Sequence, residues 1–133
     1  MSTLSHRLYL FCLFLPALVL QGSETPPTLT FEGHVAPLFT EKCVACHGSS
    51  GPQAELNLTT APGVLRGGKT GPAVVIGSAE RSLLIAKVVS GMMPPTKDKL
   101  TANEIAILRA WIDEGAASRD GLPALTEKDI IPI

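Results

Sequence analysis

The chain has 133 residues, 45% of them hydrophobic, with one Trp, one Tyr, four Phe and a formal net charge of −1. Fourteen of the hydrophobic residues fall within residues 1–22, and the remaining 111 residues are about 41% hydrophobic, an ordinary value for a soluble domain. So small a charge gives no support to a nucleic-acid binder, and roughly 110 residues suit one small core rather than a doubly wound dinucleotide enzyme or a barrel.

Residues 1–22 have the three parts of a secretory signal peptide: His6 and Arg7, then the apolar run Leu8–Leu20 broken by Pro16, then Gly22 and Ser23. The run has 13 residues, too short for a span of roughly 20. The expectation is therefore export with cleavage, to a periplasmic or equivalent extracytoplasmic compartment, leaving no stable membrane span. Leu20 is large for the position three residues before the cut, so the cut site is poorly specified. Cys12 follows Tyr9, Leu10 and Phe11, which do not form a lipobox, and reads as a small hydrophobe within the run.

Residues 23–30 carry Pro26-Pro27 and read as a flexible lead-in. A first helix is expected from Glu32 to Lys42, with Phe31, Val35, Leu38 and Phe39 on one stripe. Pro37 lies inside it and must sit in a first turn or cause a kink. Residues 48–77 hold seven glycines and three prolines, which predicts a long loop without a helix of normal length. Brief strands are possible at Leu56–Leu58 and Ala73–Ile76. A loop this long in a compact domain is expected to wrap something. A second helix is expected over Ala79–Val89, stopped by Gly91. The third is the best marked: Thr101-Ala-Asn-Glu104 is a capping box, Ile105, Leu108, Trp111 and Ile112 share a face, and Gly115 ends it. Residues 117–133 form a C-terminal tail with two further prolines.

The chemistry concentrates at Cys43-Val-Ala-Cys46-His47, the CxxCH signature of covalent haem c attachment. Two intervening residues place both thiols within reach of the vinyl groups on one porphyrin edge, and the adjacent His47 is carried beneath the iron. A zinc site would need two more ligands, and only His34 remains among histidines beyond the leader. A thioredoxin-like pair would need a βαβ context that the pattern lacks, and a plain disulfide would leave His47 idle. A sixth iron ligand must come from Met92, Met93 or His34. The two methionines lie beyond the long loop and second helix, so the chain can pass around a haem edge; Pro94 restricts Met93 directly. Their other reading is core filler, and His34 reads as a surface or otherwise satisfied side chain.

From Phe31 to Ala116 the sequence resembles the planctomycete-type cytochrome c domain, a relative of the class I c-type cytochromes. The matching residues are Phe31, Val35, Pro37 and Leu38; Cys43, Cys46, His47 and Gly48; Leu56 and Leu58; Gly67, Gly68 and Gly71; Gly77 with Ser82-Leu83-Leu84; Met93-Pro94-Pro95; and Leu100 through Ala116. Ile76 stands where such domains often have proline. The resemblance implies an all-α fold with three main helices and long loops around one covalent haem. It also implies Met93 as the iron ligand partnering His47, and Phe39 with Trp111 where the first and last helices cross. A mono-haem electron carrier is expected, with no catalytic residue. Its redox partners would be separate proteins, because the chain ends soon after Ala116. Arg66, Lys69, Lys97 and Lys99 are expected near the haem edge, to meet a propionate, an acidic partner or solvent. A haem sensor or haem enzyme with an open or labile sixth position is the alternative.

Overall fold

A computed structural model describes residues 29–119; the expected signal peptide at 1–22, most of the lead-in and most of the 117–133 tail lie outside the described residues. The described chain is helical, with four α-helices: α1 (Ala36–Lys42), α2 (Ala61–Arg66), α3 (Leu83–Val89) and α4 (Ala102–Asp113). A π-helical turn, Phe31–Val35, leads into α1, and a 3-10 turn occupies Gln53–Glu55. No helix among the described residues is long and apolar enough to cross a membrane.

The π turn resolves the problem posed by Pro37. A proline has no N–H for the carbonyl four residues back, and its ring crowds that carbonyl. The chain takes a wider turn just ahead of it, with the Ala36 N–H reaching the Phe31 carbonyl, and Pro37 then sits in the first turn of α1. The expected stripe survives this change of pitch: Phe31, Val35, Leu38 and Phe39 are all buried.

Two expectations are corrected between residues 48 and 83. No strand forms among the described residues; Gly68 and Gly71 make an isolated bridge. Instead a six-residue helix, α2, appears within the expected loop, capped by the Thr60 hydroxyl accepting the Gly63 N–H at 3.1 Å and carrying Pro62 in its first turn. Gly67 ends it at φ 76°, where a side chain would collide with the Gly71 carbonyl. The helix is too short for periodicity to reveal, yet Ala61, Val64 and Leu65 join the main core.

The second helix begins at Leu83 rather than at Ala79. Residues 75–82 form a turn around the fully buried Ser82, whose hydroxyl donates to the Ser78 carbonyl at 2.8 Å and accepts the Val75 N–H at 2.9 Å. Asp113 takes the Ala79 N–H at 2.7 Å, which tethers this turn to the end of α4. These side-chain partners replace the helical bonds that the sequence pattern anticipates.

The capping box of α4 forms as expected: the Thr101 N–H donates to Glu104 Oε2 at 2.6 Å, and the Glu104 N–H to Thr101 Oγ1 at 3.3 Å. Helix α4 packs on the π turn and on α3. Phe31 lies at the crossing, its ring centroid 6.2 Å from Phe39 and 5.9 Å from Trp111. Phe31 thus links the two aromatics expected to mark this crossing. The Ala117 carbonyl accepts both the Phe31 N–H (2.9 Å) and the Trp111 indole N–H (3.0 Å). Replacing Phe31 with alanine should cost about 3–5 kcal/mol, the usual range for a buried aromatic. Urea unfolding of the haem-loaded protein checks this, and a loss below about 1 kcal/mol would place the core's centre elsewhere.

Candidate functional site

One side of the domain opens into a cleft of about 390 Å³, a size typical of small-molecule sites. Three stretches of chain build it. The first follows α1 and supplies Cys43, Cys46 and His47; the second is the 53–73 segment, with Leu56, Leu58 and Ala73; the third is α3 and the loop after it, with Leu84, Val88, Met93 and Pro94. The long Gly- and Pro-rich segment therefore serves as cleft wall as well as core. Four residues singled out from the sequence, Cys43, Cys46, His47 and Met93, meet here.

The local chain explains why. The last turn of α1 runs on past its cap, since the Cys43 and Val44 N–H groups both reach the Phe39 carbonyl. A further turn closes through the His47 N–H to the Cys43 carbonyl at 2.9 Å. Both thiols are free and half-buried, so the disulfide alternative is not realised. Burial, aided by the neighbouring Cys46 and Glu104, pushes the Cys43 thiol up to about 11, and Lys42 opposes this.

His47 Nδ1 lies 3.0 Å from the Gln53 carbonyl. A carbonyl only accepts, so Nδ1 carries a proton, and in the neutral imidazole the lone pair is then on Nε2. The 3-10 turn that presents this carbonyl places Ala54 and Glu55 at φ 55° and 59°, left-handed values unfavourable for L-residues. The strain falls beside the one imidazole of the cleft, as strain often does at functional sites.

The two methionines part company. Met93 lines the cleft, while Met92, 57% exposed, does not, and Lys87 Nζ lies 3.6 Å from the Met92 sulfur. The loop between them and α4 contains a cis Met93–Pro94 peptide. His34 is remote from the lining; it sits exposed on the π turn, where its Nδ1 accepts the Thr30 N–H at 3.2 Å. No group of three or more His, Cys, Asp or Glu able to hold a metal ion occurs among the described residues, so a zinc centre finds no donor set there.

Of the four basic residues expected at the cleft edge, Arg66, Lys69 and Lys97 are exposed. Lys99 is exposed as well, but its ammonium is engaged with backbone, donating to the Gly91 carbonyl at 2.8 Å and the Pro94 carbonyl at 2.5 Å. Sequence reasoning missed Lys42 and Asp98, which both line the cleft and form an ion pair at 2.7 Å. The hydrogen bond to Asp98 raises the Lys42 ammonium above the usual lysine range, with desolvation opposing. The adjacency of Lys42 to the first cysteine was the only available signal.

Residues 43–97 match the family model for planctomycete cytochrome c, a segment running from the first cysteine through the methionine loop. Over this segment the chain is similar to a planctomycete-type cytochrome c domain. A cytochrome c domain implies covalently bound haem c and an electron-carrying rather than an enzymatic role. No curated protein and no solved structure matches the chain. The matched segment is narrower than the resemblance over Phe31–Ala116, and leaves α1 and α4 outside it.

The residues present fit such a group: two unpaired thiols, an imidazole with its Nε2 available, and a largely apolar wall. Without haem that wall faces water. Polypeptide produced without a c-type maturation system is therefore expected to give a weak near-UV circular dichroism signal and a broad, poorly cooperative urea transition. Haem-free protein that unfolds as sharply and as late as the loaded form would show that the cofactor is dispensable to the core.

Proposed function

We propose that this protein is an exported mono-haem c-type cytochrome, carrying single electrons to and from separate redox proteins, with its iron held by His47 and Met93. The observation that carries the reading is the meeting of Cys43, Cys46, His47 and Met93 in one apolar cleft. The haem would supply an iron that cycles between ferric and ferrous states. Everything asked of the chain is holding and tuning.

Cys43 and Cys46 would attach the group by thioether bonds, so that loosening of either axial bond would not release it. His47, with its Nδ1 proton committed to the Gln53 carbonyl, offers Nε2 in a fixed tautomer and orientation. That hydrogen bond also makes the imidazole a better donor, which favours the ferric state. The Met93 thioether works the other way, since a weakly donating sulfur favours the ferrous state. With the group in place, Leu56, Leu58, Ala73, Leu84 and Val88 of the lining would keep water from it, and a dry site disfavours the extra charge of ferric iron. No acid, base or nucleophile is required. Covalent attachment of this kind takes place on the exported side of bacterial membranes, in keeping with the leader-like residues 1–22.

Protein co-expressed with the maturation machinery should carry one haem through a denaturing gel, and its intact mass should exceed that of the polypeptide by one haem. Replacing both cysteines with alanine should abolish the stain; a bare polypeptide mass for the wild type would refute the reading.

Met93→Leu preserves volume and apolar character, so the fold should survive at a cost of under about 1.5 kcal/mol. The weak long-wavelength absorption of ferric His–Met haem should vanish, the reduction potential should fall, and cyanide or carbon monoxide should bind readily. Met92→Leu should leave all three properties near wild type, since Met92 lies outside the cleft lining. A wild-type protein that already binds carbon monoxide freely would instead support a sensor or enzyme with an open sixth position.

A further inference from the structure

The loop that carries Met93 has little apolar anchorage. From Met92 to Lys99 only Pro94 is buried, and no helix or strand spans the segment. Its hold on the domain is polar. The Met93 N–H donates to the Lys87 carbonyl at 3.1 Å. Lys99 Nζ donates to the carbonyls of Gly91 and Pro94, the residues that flank the two methionines. Asp98 Oδ1 meets Lys42 Nζ at 2.7 Å, and Lys42 directly precedes Cys43, with its side chain only 8% exposed.

We infer that Lys99, together with the Lys42–Asp98 pair, is a clasp that positions the Met93 thioether, so that these side chains set how fully the sixth iron site stays occupied; this rests on Met93 being the iron ligand. A lysine ammonium has three donors and no acceptor. Here two of the donors converge on carbonyls three residues apart, closing the backbone on either side of Met93 into a ring. Such charge-assisted bonds are about twice as strong as neutral ones. The Lys42–Asp98 pair ties the far end of the same loop to the residue beside the first cysteine. Both walls of the cleft are then fixed relative to each other by contacts that involve no haem atom. A thioether is a weak donor that an incoming ligand readily displaces, and preorganisation of its loop lowers the entropy lost on binding. Loosening the clasp therefore opens the sixth position without removing the sulfur.

The test is an imidazole titration of the ferric haem protein, followed through loss of the long-wavelength His–Met absorption, with the reduction potential measured alongside. Lys99→Met should lower the imidazole concentration at half-displacement about tenfold, in line with losing hydrogen bonds from a charged donor, and should lower the potential. Lys99→Arg, which keeps donors for both carbonyls, should restore most of the wild-type value. Asp98→Asn should shift the midpoint in the same direction by a smaller factor, and it carries the test if Lys99→Met fails to load haem. Arg109→Gln, on α4 and outside the cleft lining, should leave the midpoint and the potential unchanged. A Lys99→Met protein that shows the His–Met absorption and has wild-type midpoint and potential overturns the clasp. Failure of the ligand assignment looks different: the wild type then lacks that absorption, or Met93→Leu retains it.

Discussion

The carbonyl of Ala117 is the junction on which the rest of the domain depends. It accepts one hydrogen bond from the backbone of Phe31 and another from the indole of Trp111. One oxygen thus joins the start of the described chain, the last helix and the segment that follows it. Around this point Phe31 touches both Phe39 and Trp111. Two outer contacts reinforce the join: the Leu29 N–H reaches Glu114, and the Arg119 N–H reaches Glu32. A buried indole N–H without a partner would cost about 1–3 kcal/mol. The position of residue 117 is therefore dictated by the tryptophan, and α4 with the segment after it cannot shift along the π turn without breaking the bond to Phe31.

With the helical ends fixed this way, the cleft follows from what α1 and α3 carry beyond their ends. Helix α1 delivers Cys43 at its C-terminal cap, and the turns after it deliver Cys46 and His47. Helix α3 presents Leu84 and Val88 to the cleft and ends just before the methionine loop. The segment between them is held through Gly63 and Gly67, where the chain approaches itself too closely for any side chain. A glycine-rich stretch of this length is expensive in conformational entropy, and it is tolerated here because it seats core residues and lines the cleft at once.

Legibility from sequence followed the range of the interactions. The α4 capping box and the Phe31–Phe39 stripe were readable because both depend on residues within a few positions of each other. Helix α2 was not, since six residues cannot display a period, and its glycine and proline argued against it. The start of α3 was misjudged because Ser82 and Asp113 draw the 79–82 backbone into a turn, and Asp113 is 34 positions from Ala79. At the site, CxxCH and the methionine–proline run were visible as motifs. The Gln53 carbonyl was invisible in principle: any residue there offers the same group, and backbone shape alone aims it at His47. Lys42 and Asp98 are separated by 56 positions, and charge pairing at that range leaves no trace in a single sequence.

The division between apolar and polar contacts suits an electron carrier. The core that fixes the helices is aliphatic and aromatic, and no buried side-chain nitrogen or oxygen among the described residues lacks a partner. That frame is stiff and has little to gain from rearranging when the charge in the cleft changes by one unit. Polar contacts also hold the two backbone segments that bring His47 and Met93 to the cleft: the Gln53 carbonyl for the imidazole, and the ammonium of Lys99 for the Met93 loop. Hydrogen bonds have preferred lengths and directions, whereas apolar packing is non-directional. A donor atom that must stay at one distance from a metal in two oxidation states is better held by the directional kind. On the proposed ligation, the small reorganisation that rapid electron exchange requires would be a property of how this chain holds its ligands, as much as of the ligands themselves.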